Sequence, residues 1–192
     1  MEKLNILPQY IYKFSVPEDL IASSLKVVSD LQYHPTTGQS VFTNTELTSF
    51  IERSLEEVRV SEGIAFEHLK PHLMWANMRV RGDWHNRHYH ANSLVSGIIY
   101  LNTSDCRTWF SAPNFWHPTE KYGLAPYKAT EEIIHKEPSV AGTMIVFPSH
   151  LHHSVDNNAS DETRYTISFN AFPCGQYLAP QEELTGIHLT LP

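Results

Sequence analysis

Two cysteines, Cys106 and Cys174, are all that the 192 residues contain, and they form no C-x-x-C pair. So few in a chain of this length exclude a disulfide framework. Reduced thiols and a cytoplasmic location are expected. Basic residues are also scarce, with 14 Lys and Arg against 21 Asp and Glu and a net charge of −7. No positive stripe runs along any segment, so no nucleic acid is expected as partner. No apolar stretch approaches the length of a membrane span. No basic leader followed by an apolar run opens the sequence. No membrane is expected either. Repeats and low-complexity tracts are missing too. What remains is an ordinary globular composition, 41% hydrophobic and 11% aromatic, long enough for one domain with a sizeable core.

Histidine, by contrast, is plentiful at 12 residues. Three of them, His85, His88 and His90, fall within six positions of the stretch GDWHNRHYHANSLVSGIIYL, Gly82 to Leu101. If the HYH segment is extended, His88 and His90 point to one face and Tyr89 to the other. Two imidazoles about 7 Å apart along a strand can close on one metal ion, and imidazole suits iron, zinc, copper and nickel. A third ligand must come from elsewhere. The second cluster lies in FPSHLHHSVDNN, where His150, His152 and His153 compete for that role. The alternative is that histidine serves here only as a polar surface residue.

The N-terminal part reads as helical support. Tyr10, Tyr12 and Phe14 alternate in a short strand over Gln9 to Phe14. A helix then opens with Ser15 or Val16 at the cap and Pro17 at its first position, and carries Leu20, Ile21, Leu25, Val28 and Leu31 on one face. A second helix is expected from about Asn44 to Val58, with Leu47, Phe50, Ile51, Leu55 and Val58 as its stripe. Both pack outside a sheet and carry no chemistry. From Leu73 the period changes. Strands are expected near His72–Arg81, Tyr89–Asn92, Val95–Asn102, Thr108–Ser111, Glu132–Glu137, Met144–Phe147, His153–Asp156 and Arg164–Phe172, separated by turn-rich linkers. Such spacing suggests a sandwich or jelly roll. The longest loop, Ala112 to Tyr127, holds Phe115, Trp116 and His117, and loops of that length are often lids or binding loops. The division expected is one domain over 1–192, with helical support in 1–70, a metal-binding β core in 71–175 and a tail in 176–192.

One more residue sharpens the reading. Arg164 follows His153 by eleven residues and starts the strand RYTISFNAF, with Thr166 and Ser168 on its face. An arginine beside a hydroxyl is a fork for a carboxylate.

The segments WANMRVRGDWHNRHYHANSLVSGIIYLN and FPSHLHHSVDNNASDETRYTISFN resemble a family of Fe(II)/2-oxoglutarate-dependent oxygenases of bacteria and phages. That pattern is W-x-N, G-D, H-x-H-x-N-S-x-x-S-G-x-x-Y-L, F-P-S-x-x-x-H-x-V-x-x-N and R-x-S-x-S-F-N. A more distant likeness is to prolyl 4-hydroxylases. The resemblance covers most of Trp75 to Asn170. It implies a mainly β (α+β) chain folded as a double-stranded β-helix, a cupin-like jelly roll. It implies His88 as the first iron ligand and His153, not His150 or His152, as the distal one. It implies Arg164, helped by Thr166, on the far carboxylate of 2-oxoglutarate, with Tyr100 within reach of the same co-substrate. His90 stands where the common facial triad has Asp or Glu, which makes a three-histidine site of His88, His90 and His153. Asp83 and Asp156 are the nearby carboxylates that could substitute. His85 and Trp116 are expected on the substrate side.

The activity so implied is that of a dioxygenase using Fe(II), 2-oxoglutarate and O2 to hydroxylate an amino acid, a peptidyl residue or another small metabolite. The expected partner is a small-molecule or peptide substrate, and a homodimer stays open. Two rivals remain on the residues alone. One is a three-histidine metalloenzyme without a keto acid, either a zinc hydrolase or lyase or a cupin-type dioxygenase, to which Arg164 would be superfluous. The other is a jelly-roll binding module whose histidines are incidental.

Overall fold

The change of hydrophobic period near Leu73 separates helices from most of the sheet, but some strands begin earlier. The computed structural model describes residues 1–6, 9–111, 133–177 and 188–189. In chain order the elements are β1 (Glu2–Ile6), β2 (Gln9–Ser15), α1 (Glu18–Ser29), β3 (Gln39–Val41), α2 (Thr45–Ser61), β4 (Phe66–Arg79), β5 (His85–His88), β6 (Val95–Tyr100), β7 (Ser104–Ser111), β8 (Ile133–Ser139), β9 (Thr143–Pro148), β10 (His152–Val155), β11 (Arg164–Tyr177) and β12 (His188–Leu189). Among the described residues the strands form two antiparallel sheets. The larger runs β1-β2-β9-β6-β11-β4-β3, with β12 against β11, and the smaller runs β5-β10-β7-β8. The fold is a jelly roll, and the first 70 residues supply three strands of its larger sheet as well as the helices.

Both helices lie on the outer face of the larger sheet. Leu47, Ile51, Leu55 and Val58 of α2 are wholly buried, as is Val28 of α1. Each such side chain contributes about 1.5–3 kcal/mol relative to exposure. The Asn44 side chain accepts a hydrogen bond from the Leu47 N–H at 2.9 Å and caps α2. The start of α1 differs from the sequence expectation. Pro17 is the cap, no side chain caps the helix, and its carbonyl accepts from Ile21 N–H at 3.1 Å. Ser15 is paired to Thr143 in the sheet and Val16 N–H donates to Gly142 O at 2.8 Å, so both are held on the sheet side of the junction.

Alternation along β11 divides the two layers. Ile167, Phe169 and Ala171 join the core beneath the helices. Arg164, Thr166 and Ser168 line the cavity between the sheets. A second apolar cluster of Ile11, Ile98, Tyr100, Phe110, Ile145, Phe147 and Leu151 fills the rest of that interior. On β6, Gly97 is required because a Cβ there would lie 2.2 Å from the Phe169 ring. Both cysteines are free and buried. Among the described residues no helix is long and apolar enough to cross a membrane. The expected loop over 112–127, with Trp116, lies outside the described residues.

Candidate metal centre

The two strands that carry His88 and His153 are neighbours. β5 and β10 pair antiparallel, with His153 directly opposite His88. The next partners, Val155 and His85, are out of step by one residue, so β5 carries a bulge. A bulge re-aims a side chain, and here it brings the His85 ring to 4.2 Å from that of His88. His90 corrects the sequence expectation. The chain leaves the strand after His88, so no strand covers Tyr89–Asn92, and period-two alternation does not place its ring. His90 N–H instead donates to Ser149 O, just past β9, at 2.8 Å. That crossing toward the larger sheet carries the ring to Asn170 on β11.

The result is a cluster in which His88, His90 and His153 each offer a ring nitrogen within 4.8 Å of the others. Ring centroids are 4.2 Å apart for His88 and His153, 5.3 Å for His88 and His90, and 5.1 Å for His90 and His153. Each ring is fixed through Nδ1. His88 Nδ1 lies 2.8 Å from Asn86 O, and His153 Nδ1 lies 3.0 Å from Leu151 O. His90 Nδ1 lies 2.5 Å from Asn170 Oδ1. A carbonyl oxygen only accepts, so each Nδ1 carries the proton and each Nε2 keeps its lone pair. Ligating histidines are commonly oriented in this way. Burial pushes His88 and His90 below the ordinary histidine range and His153 well below it. His85 falls to about 4, through burial first and then the charges of His88, Arg79, His90 and Arg164. The cluster is therefore neutral at pH 7, the form that binds metal.

The carbonyl behind His90 belongs to a buried chain. Ser96 Oγ donates to Asn170 Oδ1 at 2.9 Å and lies 2.8 Å from Ser149 Oγ, which lies 2.6 Å from Ser93 Oγ. Sequence reasoning assigned none of these residues a role. Their signal was present in the N-S-x-x-S-G, F-P-S and S-F-N pieces of the motif.

Facing the imidazoles on β11 and β4 is a polar wall. Arg164 is 3% exposed. Its Nε donates to Ser139 Oγ at 3.0 Å, and its guanidinium lies 5.5 Å from the centroid of the Tyr100 ring. Its Nη2 is buried with no hydrogen-bond partner among the described residues. An unpartnered guanidinium nitrogen inside a protein is costly, and a ligand carboxylate would answer it. Asn77 Nδ2 donates to Thr166 Oγ1 at 3.2 Å and to Ser168 Oγ at 3.0 Å, which leaves both hydroxyl hydrogens for a ligand. Tyr100 is fully buried, and its hydroxyl donates to Thr108 Oγ1 at 2.9 Å, so it stands beside Arg164 with its hydroxyl engaged. Asp83 Oδ2 accepts from Val80 N–H, and Asp156 Oδ2 accepts from Arg107 N–H. Neither belongs to the three-residue cluster. His150 is exposed, and His152 lies beside Tyr89, ring centroids 5.1 Å apart.

A family model described as "Putative 2OG-Fe(II) oxygenase", where 2OG is 2-oxoglutarate, matches residues 73–170. The chain belongs to that family. Iron and 2-oxoglutarate are accordingly the metal and co-substrate of this oxygenase, and the three-histidine cluster and the orphaned Arg164 nitrogen suit them. Similar solved structures include the viral collagen prolyl hydroxylase vCPH of Paramecium Bursaria Chlorella virus-1 in its 2OG complex, at 13% identity and TM-score 0.58, over 84% of this chain and 94% of that one. A Pseudomonas putida prolyl-4-hydroxylase is 15% identical, with TM-score 0.58 over 86% and 93%. HygX from Streptomyces hygroscopicus with iron bound is 11% identical, with TM-score 0.62 over 93% and 90%. At these identities the likeness is one of fold. Comparison with curated proteins gave no match.

Proposed function

We propose that this oxygenase is a hydroxylase of a small molecule or peptide residue, in which His88, His90 and His153 hold Fe(II) and Arg164, with Thr166, holds the distal carboxylate of 2-oxoglutarate. The observation that carries the reading is Arg164 Nη2, a buried donor without a partner among the described residues, in the same cavity wall as three neutral imidazoles. When bound, iron and the keto acid would activate O2, which is the oxidant: one oxygen atom would enter the succinate formed as 2-oxoglutarate loses CO2, and the other would enter a substrate C–H bond. The protein's residues do the rest. The Nδ1 partners hold each ring in the tautomer that presents Nε2. Arg164 gives a charge-assisted hydrogen bond to one carboxylate oxygen, and Thr166 adds a hydroxyl donor. Tyr100 supports the guanidinium from the side of its ring. Ile98 and Val155 supply apolar wall and limit water. A keto-acid-free zinc enzyme would have no use for the unpartnered Arg164 nitrogen.

The test is an anaerobic titration of Fe(II)-loaded protein with 2-oxoglutarate, followed by the metal-to-ligand absorption band. Hydrogen bonds to charged groups contribute roughly 1.5–3 kcal/mol each, and about 1.4 kcal/mol is tenfold in affinity. Arg164→Ala should keep the metal and bind 2-oxoglutarate at least tenfold more weakly, with Arg164→Lys between. His153→Ala should lose the metal, while His150→Ala keeps it. Equal keto-acid affinity in wild type and Arg164→Ala would refute the assignment.

A further inference from the structure

The metal cavity is narrow, about 30 Å³. It shares Arg79 and His85 with a neighbouring cavity of about 420 Å³ walled by Tyr33, His34, Thr37, Gly38 and Trp84. Sequence reasoning gave Arg79 no role. It lies directly opposite Arg164 in the β4–β11 register and is only 6% exposed. Among the described residues all of its side-chain hydrogen bonds run from Nη1, to the carbonyls of Thr37 at 2.7 Å, Met78 at 2.9 Å and Gly38 at 3.4 Å. Nε and Nη2 donate to nothing among the described residues. No carboxylate there lies within ion-pair distance of it, although the charge of Asp83 acts on it. Asp83 is the acidic group of the larger cavity, and one of its oxygens is taken by Val80 N–H at 3.0 Å.

Two guanidiniums thus stand side by side in a buried wall, and none of the described residues lining the metal cavity is acidic. If iron is bound by three neutral imidazoles, no ligand charge offsets it. A dianionic 2-oxoglutarate matches the charge of the ion, and with its distal carboxylate on Arg164 it leaves the Arg79 guanidinium without an anion of its own. The three bonds engage only Nη1 of Arg79, and an anionic partner would answer Nε and Nη2 and the charge itself. The surplus lies at Arg79, on the side where the cavity is wide enough for a second organic molecule. The exposed Trp84 ring supplies an apolar face at the entrance.

We propose that the 420 Å³ cavity is the site of the primary substrate, and that this substrate carries a carboxylate held by the free edge of the Arg79 guanidinium, next to His85. The assignment rests on 2-oxoglutarate being the ligand of Arg164. Arg79 here is a specificity-determining residue, distinct from the co-substrate fork.

The test uses full-length protein loaded with Zn(II) and saturating 2-oxoglutarate, and saturation-transfer NMR on a mixture of N-acetyl amino acids and the matching N-acetyl amino acid amides. The expected result is transfer to the acids with little to the amides, with Kd raised at least tenfold in Arg79→Gln and less in Arg79→Lys. The affinity for 2-oxoglutarate should stay within twofold of wild type. Equal transfer to acids and amides, or to neither, would overturn the proposal. So would an Arg79→Gln variant that weakens 2-oxoglutarate as much as the acids, since Arg79 would then belong to the co-substrate. The acid–amide comparison is made on unaltered protein and stands even if removing the Nη1 bonds unfolds the variant. Wild-type protein that binds no 2-oxoglutarate would instead refute the function on which the proposal rests.

Discussion

Asn170→Ala tests the least ordinary part of the centre, the histidine in the position of a carboxylate. Asn170 Oδ1 accepts from His90 Nδ1 at 2.5 Å and from Ser96 Oγ at 2.9 Å. Removing it strips a buried donor, Ser96 Oγ, and a half-buried one, His90 Nδ1, of their acceptor, at roughly 1–3 kcal/mol for a buried unsatisfied group. Ser96 Oγ also lies 2.9 Å from His90 Nδ1 and can take over part of the role. Substitution of a residue that orients a ligating histidine typically costs 10–100-fold in metal affinity, about 1.4–2.8 kcal/mol. Asn170→Ala should therefore weaken the metal by roughly tenfold, the lower bound, because of Ser96. Adding Ser96→Ala should weaken it further. The assay is competition for Co(II) against a chromophoric chelator, with urea unfolding in parallel to separate stability from affinity. If Asn170→Ala loses stability but holds Co(II) within twofold of wild type, the hydrogen bond is structural and His90 is not oriented by it.

Three further outcomes are expected. His90→Asp should give an ordinary two-histidine, one-carboxylate triad and retain Fe(II), whereas His90→Ala should bind it far more weakly, as read by metal analysis after desalting. Gly97→Ala would place a Cβ 2.2 Å from the Phe169 ring. Overpacking of this kind costs about 1–3 kcal/mol, so the urea midpoint should fall, and Phe169→Leu in the same chain should restore part of it. Asn44→Ala removes the bond to Leu47 N–H and should cost about 0.5–2 kcal/mol in the same unfolding experiment, with metal affinity unchanged.

The helices and most strands were legible because their signals are local. The α2 stripe, with Asn44 before it, states both the face and the start of that helix. The polar alternation of Arg164, Thr166 and Ser168 against Ile167, Phe169 and Ala171 states which face of β11 meets the cavity. Strands β1, β3 and β12 were not anticipated, and β5 begins four residues before the strand expected at Tyr89–Asn92. β3 is three residues long, too short for a period to register, and it exists because β4 offers it partners at Asn77, Ala76 and Trp75. The histidine cluster was recoverable from spacing and motif, though the H-x-H argument reached His90 by the wrong route. Alternation supposed a strand through Tyr89. The chain instead bends away, and the ring is placed by Ser149 and Asn170, which are 59 and 80 residues away in sequence. No local pattern encodes such contacts. Arg79 was hidden for the same reason. Its sequence neighbours describe a strand end, and only the register with Arg164 makes it one of a pair.

That pair and the missing carboxylate ligand have one physical consequence. The residues lining the metal cavity bring Arg79, Arg164 and neutral imidazoles, amides and hydroxyls, while a carboxylate in the interior, Glu137, is already engaged by Lys13 at 3.0 Å and His135 at 2.8 Å. Beyond the more distant charges of Asp83 on Arg79 and Asp156 on Arg164, negative charge enters with the ligands. In an interior of low dielectric the cost of leaving cations unpaired is several kcal/mol per ion, and anions that arrive there relieve it. An ordinary triad spends part of the positive field of iron on its own carboxylate. Here a neutral His90, held by a neutral Asn170, leaves that field to the co-substrate and substrate. On this reading His90 and Arg79, far apart in sequence, serve one end: His90 adds no negative charge to the cavity and Arg79 adds a positive one, and both favour acids over their uncharged analogues.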